Sequence, residues 1–405
     1  MEIRPYDKNA KKHTRKQIEQ VAKSIKEFGM NQPIVVDKNG IIIVGHGRYE
    51  ALKFLEMEIK DEYIKVVDLN EEQAKAYRLA DNKLNESDWQ MDLVIEELLD
   101  LSPEMLDLTG FDKDLIITED EKDDIIPDEA PEVVKYGDVI ELGGHRIVCG
   151  DSTNSNDLAK LMDGKVAKVM FTSPPYNISS GMYKTYKDNL ESREYIDFNL
   201  KVVRIWSEVI KGMIFWNISY NKNSKTEFIE ILYEITKTIP GIKFLDLVVW
   251  DKGHGMPVIS RDAMTRTYED IFVFNNDEEF YKDTEMIAVY KNASNAYYIK
   301  KKDKGLGNYW KVGTNKTQLD THKACYPVAL VVKGLLISTD EKDIITEPFL
   351  GSGTNIIAAE KTGRYCYGME MDPKYCDIAI QRYVDFTGLE NIKINGKEVV
   401  WPKKK

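Results

Sequence analysis

Val169-Met-Phe-Thr-Ser-Pro-Pro-Tyr-Asn177 is the stretch on which the reading of the fold turns. The apolar run from Val166 to Phe171 predicts a buried strand, and Ser173-Pro174-Pro175-Tyr176 ends it abruptly. Consecutive prolines have no N–H to give a sheet ladder, so the strand stops there. The chain then makes a stiff turn carrying a hydroxyl, a free carbonyl and an aromatic ring. It sits at a strand's C-terminal end, the side of an open α/β sheet on which ligands bind. Taken alone, the tetrapeptide reads equally well as a Pro-Pro loop with a tyrosine packed on it. A second stretch far downstream, Glu347-Pro-Phe-Leu-Gly-Ser-Gly-Thr354, favours the ligand site.

Around that second stretch the chain alternates regularly. Asp343 to Thr346 reads as a strand, Gly351-Ser352-Gly353-Thr354 as a turn and Asn355 to Lys361 as a helix. Tyr365 to Met369 is a further strand and Pro373 to Phe386 a further helix. Gly351 and Gly353 let a ligand lie against the backbone, and Glu370, at the next strand's end, suits vicinal ribose hydroxyls. Together they suggest an adenosine-type cofactor site. The dinucleotide pattern GxGxxG is absent, because Thr354, Asn355 and Ile356 follow the glycines. Upstream, Val139 to Leu142 and His145 to Cys149 form a hairpin leading to Gly150-Asp151. Strands are also expected at Met213–Trp216, Phe244–Trp250 and Asp270–Phe274, whereas residues from 277 to about 320 read as a polar loop. In that loop the basic and aromatic residues of Lys300–Lys304 and Asn308–Lys311 also suit phosphate contacts and base stacking.

A chain of 405 residues has length for two or three domains. Its net charge of −12 is local. Residues 91–132 hold 16 Asp/Glu against 2 Lys/Arg, residues 1–90 balance 16 with 16, and the remainder carries 38 Lys/Arg against 36 acids. The acidity belongs to a connecting segment, in which Glu119-Asp-Glu-Lys-Asp-Asp124 reads as a solvated linker, and does not exclude DNA elsewhere. Four cysteines without CxxC spacing imply reduced thiols and no metal site. No signal peptide is expected, and the apolar run Tyr326–Ile337 is too short to span a bilayer, so a cytoplasmic location follows.

The first 90 residues predict a compact α+β unit. Thr14-x-x-Gln17 is a capping box ahead of a helix that Gly29 stops. Strands at Pro33–Val36 and Ile41–Val44 flank a turn, and the second runs into Gly45-His46-Gly47-Arg48 and a helix. A strand, a glycine turn and a helix N-terminus suit a phosphate, and they equally form a tight turn with Arg48 in a surface ion pair.

This region resembles the ParB/sulfiredoxin-like N-terminal domain, through Lys26-Glu-Phe-Gly29, Gln32-Pro-Ile-Val-Val36 and Ile43-Val-Gly-His-Gly-Arg-Tyr-Glu-Ala51. The resemblance implies nucleotide phosphates at Gly45, His46, Gly47 and Arg48. Sulfiredoxin chemistry is excluded, since residues 1–148 contain no cysteine.

The pair Glu347–Thr354 and Thr172-Ser-Pro-Pro-Tyr-Asn177 strongly resembles the S-adenosylmethionine-dependent DNA amino-methyltransferases. With the catalytic motif first and the cofactor motif second, it looks like the permuted β group. Val148-Cys-Gly-Asp151, Phe215-Trp-Asn217, Trp250-Asp-Lys252, His322-Lys-Ala-Cys-Tyr-Pro327 and Gly363-Arg-Tyr-Cys-Tyr-Gly-Met-Glu370 add to the likeness. One departure is Glu347 where the family has aspartate.

The resemblance implies a Rossmann-like methyltransferase sheet with helices on both faces, joined to the ParB-like domain. The expected division is a ParB-like unit over 1–90, an acidic linker over 91–132 and the methyltransferase over 133–405, with target recognition in about 251–320. Implied further are double-stranded DNA as partner, S-adenosylmethionine as cofactor, no metal and a restriction–modification setting. Ser173, Pro174, Pro175 and Tyr176 would be catalytic, with the target amine hydrogen-bonded to Ser173 and the Pro174 carbonyl. Thr172, His322, Lys323, Glu347, Phe349, Gly351, Ser352, Gly353, Thr354 and Glu370 would hold the cofactor. Asp151 would contact its adenine, or cap its own turn. The target is N4 of cytosine or N6 of adenine, and Ser at the motif's first position leans toward cytosine. Two rival readings are a nucleotide-controlled DNA clamp and a methylase of RNA or protein amides.

Overall fold

The computed structural model describes residues 2–84 (8 and 10–12 apart), 94, 97–98, 101–111, 121–177, 189–220, 224–253, 265, 267–276, 286–292, 295–300, 307–313 and 325–402. The chain forms two compact units, Met1–Ile116 and Ile117–Lys405, whose boundary falls inside the acidic segment. Among the described residues no helix is long and apolar enough to cross a membrane.

The first unit is built on α1 (Arg15–Phe28), β1 (Ile34–Val36), β2 (Ile42–Val44), α2 (His46–Phe54), β3 (Ile64–Val66), α3 (Glu71–Leu84) and α4 (Pro103–Thr109). The capping box forms as expected: Gln17 N–H donates to Thr14 Oγ1 at 3.2 Å and Thr14 N–H to Gln17 Oε1 at 3.0 Å. Gly29, at φ +79°, ends the helix in a conformation that costs glycine least. β1 pairs antiparallel with β2 and parallel with β3. Ile34, Val36 and Ile42 pack against Ala22, Ile25, Ala51 and Leu52 as the core. α4 lies against α1, where Lys23 pairs with Asp107.

The second unit runs through β4 (Val139–Leu142), β5 (His145–Cys149), α5 (Ser155–Met162), β6 (Ala167–Thr172), α6 (Ser192–Ser207), β7 (Ile210–Ile218), α7 (Lys225–Thr238), β8 (Lys243–Asp251) and β9 (Tyr268–Asn275). There follow β10 (Met286–Asn292), β11 (Asn295–Lys300), β12 (Tyr309–Lys311), α8 (Val328–Leu336), β13 (Ile344–Glu347), α9 (Thr354–Lys361), β14 (Tyr365–Glu370), α10 (Pro373–Thr387), β15 (Asn391–Ile394) and β16 (Lys397–Val400). Eleven strands join in one sheet, in the order β12-β8-β9-β7-β6-β13-β14-β5-β4-β15-β16. Its centre, β7-β6-β13-β14-β5, is parallel.

Alternate residues of each central strand face opposite layers. Val169, Phe171, Met213 and Phe215 enter a core with α8, α9 and α10, while Met170, Ile214 and Trp216 enter one with α5, α6 and α7. Full burial of such side chains contributes about 1.5–3 kcal/mol each. Helices therefore cover both faces, as the Rossmann-like reading requires.

The polar stretch from 277 onward differs from its expected loop. β10 and β11 pair as a hairpin and β12 adds to the sheet edge beside β8. Three-residue β12 carries no periodicity to read, and its pairing partner is 60 positions away (Trp310 opposite Trp250). The acidic run differs too: Glu121–Asp124 is a 3-10 turn in which Asp123 and Asp124 are buried, not solvated.

Candidate active site

The sheet order decides what comes together. β6 and β13 are neighbours, with Ile345 opposite Val169 and Thr346 opposite Met170. From that pair the chain departs in opposite directions, β6 to β7 and β13 to β14. This is the topological switch point, and both singled-out stretches leave it from the same C-terminal edge.

On the β6 side, Ser173 Oγ donates to Tyr176 Oη at 2.8 Å. The Tyr176 hydroxyl lies 3.0 Å from Asn217 Oδ1 and 3.1 Å from Glu269 Oε2, so its one proton serves these two acceptors. Lys252 Nζ completes the set with a 2.8 Å contact to Glu269 Oε1. Behind the turn, Tyr195 Oη donates to the Pro175 carbonyl at 3.0 Å. Asn177, at φ +57°, clamps Leu190 through both side-chain atoms, donating at 2.8 Å and accepting at 2.7 Å. Ser173 and Tyr176 are half-buried and both prolines buried, so the motif forms a wall with a polar edge.

On the β13 side, Glu347 is a buried hub. Its Oε1 accepts from Thr172 Oγ1 at 2.5 Å and from Phe349 N–H at 2.9 Å, and its Oε2 from Tyr326 Oη at 2.6 Å. Burial pushes its carboxyl up to about 7, against these donors, with nearby Glu370 adding to the rise. Asn355 ties α9 to β6, donating to the Phe171 carbonyl at 2.7 Å. Glu370 ends β14 with both oxygens engaged: Gly351 N–H at 2.8 Å and Asp372 N–H at 2.9 Å. Burial raises its pKa as well. Phe349 packs between Phe198 and Trp216 at ring separations of 5.8 and 6.5 Å.

A cofactor can be tested against this geometry. At Gly351, φ +53°, a Cβ would meet nothing nearer than the Phe349 carbonyl at 3.9 Å, so space lies open over the turn. Glu370 keeps acceptor capacity beyond its two backbone donors, since a carboxylate offers about four lone-pair sites. An adenosine-type ligand with vicinal hydroxyls fits these residues. Gly353 is also required by packing: its added Cβ would stand 3.0 Å from Ala379 Cβ on α10.

Of the other expected residues, Asp151 accepts through Oδ1 from Thr153 N–H at 2.8 Å and Thr153 Oγ1 at 2.9 Å, so it caps its own turn. That turn is held to the cofactor side by Ser152, whose hydroxyl donates to the Pro348 carbonyl. His322, Lys323 and much of 251–320 lie outside the described residues. Sequence reasoning did not single out Glu269, Asn355, Tyr195 or Tyr326 as functional. Tyr326 stands within the quoted stretch 322–327, but its partner Glu347 is 21 positions away, so pairing was not readable.

In the first unit, Gly45 at φ +97° precedes α2, whose N-terminus has no side-chain cap. A cleft of about 210 Å³ opens there, lined by Asn9, His13, His46, Arg48 and Asp81 among others. Arg48 donates to Gln32 Oε1 at 2.6 Å and to the Pro33 carbonyl at 3.2 Å, so it is held within its own unit. His46 Nε2 accepts from Tyr6 N–H at 3.2 Å, and burial, with Arg78 and His13 beside it, pulls its pKa down to about 4.

A doubly covered parallel sheet centre with a glycine turn at its switch point and an acidic residue on the next strand defines a Rossmann-type fold suited to a nucleoside cofactor. The family profile described as DNA methylase matches residues 167–381, over half of the 405-residue chain. The chain belongs to this DNA methylase family, with S-adenosylmethionine as its cofactor. Residues 2–83 match the ParB N-terminal domain.

Type II methyltransferase M.BglII of Bacillus subtilis is 28% identical over 255 residues, covering 58% of this chain and 68% of that one. M.Cfr9I of Citrobacter freundii is 26% identical over 277 residues, 60% of this chain and 89% of its own. Among solved structures, PvuII DNA methyltransferase (cytosine-N4-specific) covers 64% of this chain and 90% of its own, with 17% identity and a TM-score of 0.47.

Proposed function

We propose that this DNA methyltransferase methylates N4 of a cytosine flipped out of duplex DNA, with Ser173 and the Pro174 carbonyl holding the amine. The observation that carries this reading is the direction of the Ser173 hydroxyl. Its proton is committed to Tyr176, and the Tyr176 proton to Asn217 and Glu269, so Ser173 Oγ offers only lone pairs to an incoming N–H. An exocyclic amine is a poor nucleophile because its lone pair is delocalised into the ring. Two acceptors at fixed positions draw its hydrogens out of the ring plane and leave the lone pair free to point at an electrophile.

S-adenosylmethionine supplies, when bound, an electrophilic sulfonium methyl group. Glu370 and the Gly351–Thr354 turn would hold its adenosine, Phe349 would pack beside it, and Thr172 with Glu347 would close the site beneath. Flipping a base costs a few kcal/mol, which contact with the Tyr176 ring partly offsets. The neutral, short Ser173 favours cytosine over adenine, since many adenine enzymes of this family carry aspartate in its place. Residues 1–90 are read as an accessory ParB-like module, with Gly45–Arg48 as a nucleotide phosphate site. Acting on DNA, the protein would work in the cytoplasm.

The test is mass spectrometry of nucleosides from plasmid DNA incubated with the pure protein and cofactor. N4-methylcytosine is expected, and N6-methyladenine would overturn the choice of base. Ser173→Ala and Tyr176→Ala should each lose most turnover, on the order of a hundredfold or more, while cofactor binding survives. Arg48-dependent nucleotide turnover with no methyl transfer would favour the clamp instead.

A further inference from the structure

We propose that Asp123 and Asp124 are positioning residues for the cofactor turn, acting through Arg382 and the first turn of α8. The idea rests on cofactor binding at Gly351–Thr354. Both carboxylates are buried, at 2% and 5% exposure, within an otherwise hydrophilic acidic run. Burying a carboxylate costs several kcal/mol unless partners offset it, so their partners show what the turn is for.

Asp123 Oδ2 receives Lys361 Nζ, at the end of α9, at 2.6 Å. Asp124 Oδ1 accepts from Val328 N–H at 2.8 Å and thereby caps α8, whose own N-cap, Pro327, gives no side-chain bond. Arg382 Nη2 donates to the Asp123 carbonyl at 2.8 Å. The same guanidinium reaches with Nη1 to Thr354 Oγ1 at 3.1 Å, and to the Ser352 carbonyl and Oγ, both at 3.3 Å. One rigid, planar cation thus spans from the acidic turn to the glycine turn.

The α8 cap reaches the site by a second route. Val328 follows Tyr326 by two residues, and Tyr326 Oη is the donor to Glu347 Oε2. The start of α8, the end of α9 and Arg382 of α10 therefore meet at one four-residue turn. The contacts span 204 to 259 positions of sequence, so none follows from chain proximity.

The experiment uses the full chain. Affinity for S-adenosylmethionine is measured by calorimetry, affinity for a mixed-sequence duplex by anisotropy without cofactor, and Tm alongside. Asp124→Ala should weaken cofactor binding about tenfold, the order of one lost hydrogen bond to a charged group, with duplex affinity within about twofold. Asp124→Asn retains an acceptor for Val328 N–H and should restore cofactor affinity to within about threefold of wild type. Should Asp124→Ala fail to fold, Arg382→Lys carries the test. It keeps the charge, cannot bridge Asp123 and Thr354 together, and is expected to show the same selective loss. Wild-type cofactor affinity in Asp124→Ala or Arg382→Lys, or equal weakening of cofactor and duplex, overturns the proposal. An unaltered chain that binds no cofactor overturns the assignment of the glycine turn itself.

Discussion

Gly45 and Gly353 occupy the same local place in two different units. Each is a left-handed residue, at φ +97° and +83°, that turns a strand's exit into a helix with no side-chain cap. Their surroundings differ in sign. Beside Gly45 stand Arg48 and His13, with Arg78 close to His46, and one carboxylate, Asp81, on the same cleft. Beside Gly353's turn stand two carboxylates, Glu347 and Glu370, the latter bonded to Gly351 N–H, while the buried Arg382 guanidinium is already engaged by Ser352 and Thr354. A glycine turn opening a helix is therefore neutral about its ligand. On the proposed reading the flanking side chains suit an anion in one case and a hydroxyl-bearing or cationic group in the other.

The largest expected effect separates the two turns by ligand. Glu370→Ala removes the acceptor of Gly351 N–H and Asp372 N–H together with the proposed ribose contact. Cofactor affinity should fall about a hundredfold by calorimetry, the scale of two charge-assisted hydrogen bonds. Arg48→Ala should leave it unchanged. If both variants bind cofactor like the wild type, charge does not distinguish the turns.

How much of this was legible depends on where the signals lie. Strand ends at Ser173-Pro-Pro and helix stops such as Gly29 declare themselves locally, because proline lacks an N–H and glycine tolerates positive φ. The adjacency of β6 and β13 was reachable through the order of the two motifs. Partnership at a distance could not be read. Glu269 reaches Tyr176 across 93 positions and Arg382 reaches Asp123 across 259. A run of acids looks solvated until the lysine and arginine that bury two of them are in view. His145 is similar: its Nδ1 accepts from Cys366 N–H at 3.0 Å and its Nε2 lies 2.7 Å from Glu360 Oε2, neither visible in its own hairpin.

A middle-sized effect tests what each glycine is for. An alanine at Gly353 meets left-handed strain and, in addition, Ala379 Cβ at 3.0 Å and Cα at 3.2 Å, so α10 must move. The cost should be about 2–3 kcal/mol in urea unfolding, strain of about 1–2 plus the overlap. At Gly45 the nearest atom is the far end of Arg48, at 3.1 Å, which can swing aside, although Ile34 Cα stands at 3.3 Å. Its alanine variant should lose nearer 1–2 kcal/mol. Equal losses would mean that packing behind the two turns is alike after all.

The last effect is a difference of sign with pH. Glu347 has its folded pKa raised to about 7 from an ordinary 4.5. Between those values the folded chain holds a proton that the unfolded chain has released, so this carboxyl's contribution to stability falls as pH rises from 4.5 to 7, and is flat above. His46 runs the other way, with its folded pKa lowered to about 4 from 6.5. Between 4 and 6.5 the unfolded chain binds the extra proton, so its contribution falls as pH drops through that window and is constant above it. Melting curves at pH 5, 6, 7 and 8 should therefore show Glu347→Gln gaining on the wild type toward pH 7, and His46→Gln gaining toward pH 5. Parallel Tm profiles for the two variants would show that burial and neighbouring charge do not set opposite proton preferences at the two turns.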